Sequence, residues 1–103
     1  MAKQQARHSA TSDAAFRTVT LDRTADEALE RVNRHLKGLT ATATGAGYKI
    51  RDQNGLVVAV LSEYDRGADE VGVRLRYRIG PSPSMVSVRR GRRVYEILEP
   101  HIW

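Results

Sequence analysis

The sequence predicts an α+β domain: a two-layer sandwich in β-α-β-β-β-α order, an antiparallel sheet with its helices packed on one face. Three stretches carry that prediction. Residues 70–79 alternate throughout, with Val71, Val73, Leu75, Tyr77 and Ile79 on one side and Gly72, Arg74, Arg76 and Arg78 on the other. That is the period-two pattern of a half-buried strand. Residues 24–39 instead repeat apolar side chains every three or four positions, the mark of an amphipathic helix. Between them, Asn54-Gly55 joins two strand-like runs and signals a hairpin. At 103 residues the chain is long enough for one modest core. Residues 1–12 have no hydrophobic period and read as a disordered tail, leaving 13–103 as the single domain.

The first strand spans about Ala15 to Leu21, where Phe16, Val19 and Leu21 are the large apolar residues, although the two sides do not alternate cleanly. Thr24-Ala25-Asp26-Glu27 has capping-box spacing, and the two acids suit the positive end of a helix dipole. Ala25, Ala28, Leu29, Val32, Leu36 and Leu39 form the apolar stripe of this helix; Glu30, Arg31, Arg34 and Lys37 face away, and Gly38 ends it. Leu39 to Gly47 reads as a linker of small residues.

Tyr48 to Arg51 and Leu56 to Leu61 then pair across a two-residue type I′ turn. This register sets Arg51 opposite Val58 and Lys49 opposite Val60, with Tyr48, Ile50, Val57, Ala59 and Leu61 facing the core. For the 70–79 strand to turn its apolar side to the same core, the next connection must hold an odd number of unpaired residues or a bulge. Arg66-Gly67-Ala68, with Gly67 left-handed, meets the first condition. Gly80-Pro81-Ser82-Pro83 breaks the sheet, and Ser82 with Pro83 can start a helix. Val88, Gly91, Tyr95, Leu98 and Ile102 give that helix its spacing, to about Glu99. The alternative is a short strand at 85–89 with a helix only from Arg92, because β-formers crowd the first part and Gly91 could mark a turn.

Composition excludes several chemistries. The chain has no cysteine, so disulfides and thiolate catalysis are ruled out. A zinc site would have to use His8, His35, His101 and carboxylates, and nothing places the histidines together. No run approaches the roughly 20 apolar residues of a spanning helix, and the first twelve residues lack the apolar core of a secretory signal. A soluble, cytoplasmic protein is expected. Neither a phosphate-cradling glycine loop nor an assembled acid–base or nucleophile set is present, so we expect no enzyme and no cofactor.

The formal charge is +5, and its placement matters more than its size. The predicted outer sheet face gathers Lys49, Arg51, Val58, Val60, Arg74, Arg76 and Arg78. Such a face could contact a protein partner or a second copy of the chain, since arginine is enriched at interfaces. It could also bind phosphates, with guanidinium planes stacking on bases. The plainer reading is a solvated face whose long arginine stems cover the two valines. Arg89, Arg90, Arg92 and Arg93 form a second cluster, attractive to nucleic acid but equally the solvated side of a helix, with Arg92 and Glu96 as an i,i+4 pair. Glu63, Asp65, Asp69 and Glu70 around the second hairpin loop could offer oxygen to calcium or magnesium, but EF-hand spacing is missing and solubility explains them more simply.

In element order the chain resembles small helix-grip and TATA-binding-protein-like domains, a likeness of arrangement that transfers no site residue. The sequence therefore leads to a non-enzymatic interaction module, self-associating or binding another protein through the basic outer sheet face. The alternative is a nucleic-acid-binding protein using that face and the 89–93 cluster. A further alternative is a helix-grip carrier of a small apolar ligand between helix and sheet.

Overall fold

Alternation along the strands and one apolar stripe per helix resolve into two layers. The computed structural model describes residues 15–67, 70–80 and 85–102. Its elements are β1 (Phe16–Leu21), α1 (Ala25–His35), β2 (Thr40–Ala43), β3 (Gly47–Arg51), β4 (Val57–Gly67), β5 (Glu70–Arg78) and α2 (Met85–Leu98), followed by a 3-10 turn at Glu99–His101. All strand pairs are antiparallel, in the order β1-β5-β4-β3-β2. Both helices pack on one face. The expected tail 1–12, the Ser82-Pro83 helix start and Trp103 lie outside the described residues.

The expected linker after α1 contains a strand. Thr40, Ala41, Thr42 and Ala43 pair with Arg51, Ile50, Lys49 and Tyr48 and form the sheet edge. The 85–89 segment is the start of α2, so the alternative strand does not form. No helix among the described residues is long and apolar enough to cross a membrane.

Helix α1 begins as its sequence specifies. The Glu27 amide donates to the Thr24 hydroxyl and the Thr24 amide donates to the Glu27 carboxylate, both at 3.2 Å. These bonds satisfy two donors that the first helical turn leaves unpaired. Ala25, Ala28 and Val32 are buried, with Leu29, Leu36 and Leu39 packed beside them. Arg31 does not face away. It is half-buried, and its Nε donates to the Ile97 carbonyl at 2.8 Å, satisfying an acceptor in the last turn of α2.

Away from its turn the β3–β4 hairpin reaches the expected register, Lys49 opposite Val60, by a different route, but the expected Arg51–Val58 pairing does not form. Asp52 pairs with Leu56, its amide donating to the Leu56 carbonyl at 2.9 Å, so the loop holds three residues rather than two. Gly55 takes the left-handed conformation at φ +82. That loop alone would shift β4 by one residue and exchange its faces. A bulge cancels the shift: Arg51 pairs with Val57 while Ile50 pairs with Ala59. Lys49 still faces Val60, and Tyr48 still faces Leu61. The extra residue is Val58, which turns into the core and is completely buried. Its expected place on the outer face is therefore wrong, and so is the expected core place of Val57, which pairs with Arg51 and is half-buried.

The β4–β5 hairpin also uses a bulge. Asp65 pairs with Val71 and Gly67 with Glu70, with a register shift between Asp65 and Gly67. Gly67 is left-handed at φ +85, as expected, but it is a paired strand residue and not part of a three-residue loop. The outcome for the faces is the one parity requires. Val73, Leu75 and Tyr77 are buried against the helices, and Arg74, Arg76 and Arg78 lie on the opposite side. Ile79 falls beyond the strand and is exposed rather than in the core row.

Helix α2 buries Val94, Ile97 and Leu98, and Tyr95 stacks on Tyr77 of β5 with centroids 4.6 Å apart. Gly91 is buried within the helix, where the absence of a side chain lets α2 touch β5. After the 3-10 turn the chain returns to β1. The Asp22 amide donates to the His101 carbonyl at 3.0 Å, and Leu21 bridges Ile102.

Candidate interaction face of the sheet

The face of the sheet turned away from both helices is assembled by register. β1 contributes Phe16, Thr18 and Thr20, opposite Arg78, Arg76 and Arg74 of β5. On its other side β5 sets Arg76 against Val60, Arg74 against Ser62 and Gly72 against Tyr64 of β4. Lys49 follows beside Val60, and β2 closes the face with Thr42 beside Lys49 and Thr40 beside Arg51. Among the described strand side chains of this face there is no carboxylate.

Two aromatic rings lie among these cations. The Arg74 guanidinium stands over the Tyr64 ring, 4.3 Å from its centroid. Arg76 and Arg78 both stand over Phe16, at 5.2 and 4.6 Å. Contacts of this kind hold a guanidinium over a ring and restrict its rotamers. Neither aromatic is a site residue by sequence; Phe16 reads there only as a large apolar residue of the first strand. Phe16 explains why β1 did not alternate cleanly: its ring belongs to the outer face, whereas Val19 and Leu21 pair with Leu75 and Val73 on the core side. Tyr64 lies where β4 was expected to have ended, although Val60-Ser62-Tyr64 continues the outer row at the same period.

The cations of the face have different duties. Arg78 serves the fold: its Nε donates to the Val57 carbonyl at 2.8 Å, beside the bulge that leaves Val58 unpaired. Its charge also acts on Asp52, a buried carboxylate. Asp52 accepts from the Ser87 hydroxyl at 2.7 Å and from the Asn54 and Leu56 amides at 2.9 and 3.1 Å. Burial by itself would raise this carboxyl, but the Ser87 bond, the two amides and the Arg78 guanidinium together hold it below its ordinary value. Lys49 and Arg51 are half-buried and form no ion pair among the described residues, and Arg74 is exposed.

The 89–93 cluster is not part of this face. Arg89, Arg92 and Arg93 are exposed on the helix layer, on the other side of the sheet. Arg90 is tied down, donating to the Lys37 carbonyl at 2.7 Å. Glu96 pairs with Arg93 at 3.4 Å, one position away from the expected Arg92.

The remaining polar candidates do not converge. Glu63 and Asp65 are exposed and, with Asp26 and Tyr48, line an open cleft of about 560 Å³ beside the β2–β3 turn. The Tyr48 hydroxyl donates to Asp26, and that bond is the main reason its pKa is raised. His35 is exposed at the end of α1, while His101 lies near Arg23 and Arg31. Burial first, and then those two cations, hold His101 below the usual histidine range. Among the described residues no group of three or more acids or histidines is arranged to hold a metal. Asp69, the Glu70 side chain and His8 lie outside the described residues.

The class this defines is an α+β two-layer sandwich whose sheet face turned away from the helices is cationic and carries two aromatic rings. Comparison with protein-family models, curated proteins and solved structures finds no match for the chain.

Proposed function

We propose that this domain is a non-enzymatic nucleic-acid-binding module that works through the outer sheet face. The observation that supports the reading is the sign and chemistry of that face. Its described charged side chains are all cations, Lys49, Arg51, Arg74, Arg76 and Arg78, and they are interleaved with Phe16 and Tyr64. Phosphates complement the cations, guanidinium forks suit phosphate oxygens, and the threonines and Ser62 add neutral hydrogen bonds.

The same charge pattern weakens the case for self-association through this face. Two copies laid face to face would set guanidiniums against guanidiniums, with no carboxylate among the described side chains of either face to relieve them. Val58, one of the two valines that favoured a protein contact, is buried, and Val57 stands beside Arg51 in its stead. The carrier reading needs space between helices and sheet, where Tyr77 and Tyr95 stack. A cytoplasmic location is proposed together with this reading.

The test is equilibrium binding to mixed DNA and RNA over a salt series. Affinity should fall steeply, with a log–log slope of about −0.7 to −0.9 per phosphate contacted. Absent or salt-insensitive binding removes the proposal. Retention of an acidic protein but no nucleic acid would restore the protein-interaction reading in its place.

A further inference from the structure

Resting on that reading, we infer that the ligand is single-stranded and is held at two base-stacking stations at opposite ends of β5. Phe16 lies opposite Arg78 and Tyr64 opposite Gly72, so the rings flank β5 on different sides, six positions apart along it. At the usual strand rise the two stations are about 20 Å apart along β5, and two strand spacings add about 10 Å across it. A diagonal path of about 22 Å joins them. Arg74 and Arg76 lie on β5 between these ends, and Lys49 continues the Arg76–Val60 row beyond β4.

Each station is a ring with a guanidinium already resting on it. A planar cation on a ring is a platform for a third flat group, and every base has a flat face. Arg74 is exposed, so a base can stack on it or take its place on Tyr64. In a duplex the bases are buried between strands, and reading them requires an element that enters a groove. The outer face is a sheet surface, and neither helix projects from it, because both pack on its other side. A duplex could meet it only along phosphates and would leave both rings unused. An unpaired strand uses both the rings and the cations between them.

The experiment compares three probes at one salt concentration: labelled oligo-dT of about 16 nucleotides, a duplex of equal length, and heparin, a polyanion without bases. Wild-type protein should bind oligo-dT at least about tenfold more tightly than the duplex. Phe16→Leu and Tyr64→Leu keep an apolar side chain and remove the stack, and each should weaken oligo-dT binding roughly 5- to 100-fold while leaving heparin binding unchanged. Tyr64→Phe should retain it. Equal affinity for all three probes would overturn this inference and leave nucleic-acid binding through charge standing. A single-strand preference that both leucine variants preserve would overturn the two stations. Binding to none of the three would remove both the inference and the function it rests on.

Discussion

Gly91 of α2 lies against the backbone of Arg78 in β5: a Cβ at position 91 would stand 2.6 Å from the Arg78 carbonyl oxygen and 2.9 Å from its amide nitrogen. The helix rests on the strand there without an intervening side chain. The four neighbouring arginines cannot share that contact, which is why Arg89, Arg92 and Arg93 face solvent on the helix layer.

Gly91→Ala tests this contact through its sign. At a solvated position inside a helix, alanine is more favourable than glycine by about 1 kcal/mol. Here the added methyl meets backbone, so the substitution should destabilise by about 1–3 kcal/mol. Thermal melts should show a midpoint several degrees lower. An unchanged or raised midpoint would refute the contact.

Arg78 and Arg74 share a strand face but should respond differently to truncation. Arg78→Ala removes the donor to the Val57 carbonyl and a neighbour of Asp52, and should lower stability by about 1–3 kcal/mol. Arg74→Ala, at an exposed position, should change stability by less than about 0.5 kcal/mol while weakening nucleic-acid binding. Denaturant melts and binding isotherms on both variants check the division.

Asp52 should impose an acid limit on stability. Its folded-state pKa is depressed, so its contribution is fully present above the unfolded value and disappears as pH falls through the folded one. Melting temperature should thus be insensitive to this group from neutrality to about pH 4 and should fall below that. Asp52→Asn retains an oxygen for the loop amides and removes the titrating charge. It should flatten the acid limb of the profile at a cost of about 1–2 kcal/mol at pH 7. An unaltered acid limb would exclude this role.

Charge reversal should separate the two basic surfaces. Lys49→Glu with Arg74→Glu should abolish nucleic-acid binding and leave the far-ultraviolet spectrum unchanged, since neither side chain is fully buried. Arg89→Glu with Arg93→Glu, on the opposite layer, should cost less than about threefold in affinity at moderate salt, where exposed charges more than about 10 Å away are screened. Equal losses from the two pairs would contradict the assignment of the site to the sheet.

Much of the fold is written in local sequence patterns. The capping box at Thr24 and Glu27 and the stripe from Ala25 to Val32 are local, so neighbours in sequence suffice to show them. The edge strand β2 was readable in principle, because Thr40-Ala41-Thr42-Ala43 alternates, but threonine and alanine carry too little apolar contrast to stand out as a strand. Phe16 and Tyr64 were hidden for a different reason. Each is an aromatic on a face otherwise made of polar groups, and only cross-strand pairing brings them beside Arg78, Arg76 and Arg74.

The sequence by itself determined which side chains of a strand share a face, because alternation is a property of the extended backbone and needs no partner. Tertiary structure alone decided how the strands meet. A three-residue loop and a bulge each move β4 by one position and cancel, so the pattern is the same with both or with neither, yet only the pair puts Val58 inside. Loop length and bulges are settled by the summed packing and hydrogen bonding of two strands and the helix above them, here through Asp52, Ser87, Gly91 and Arg78, residues far apart in the chain.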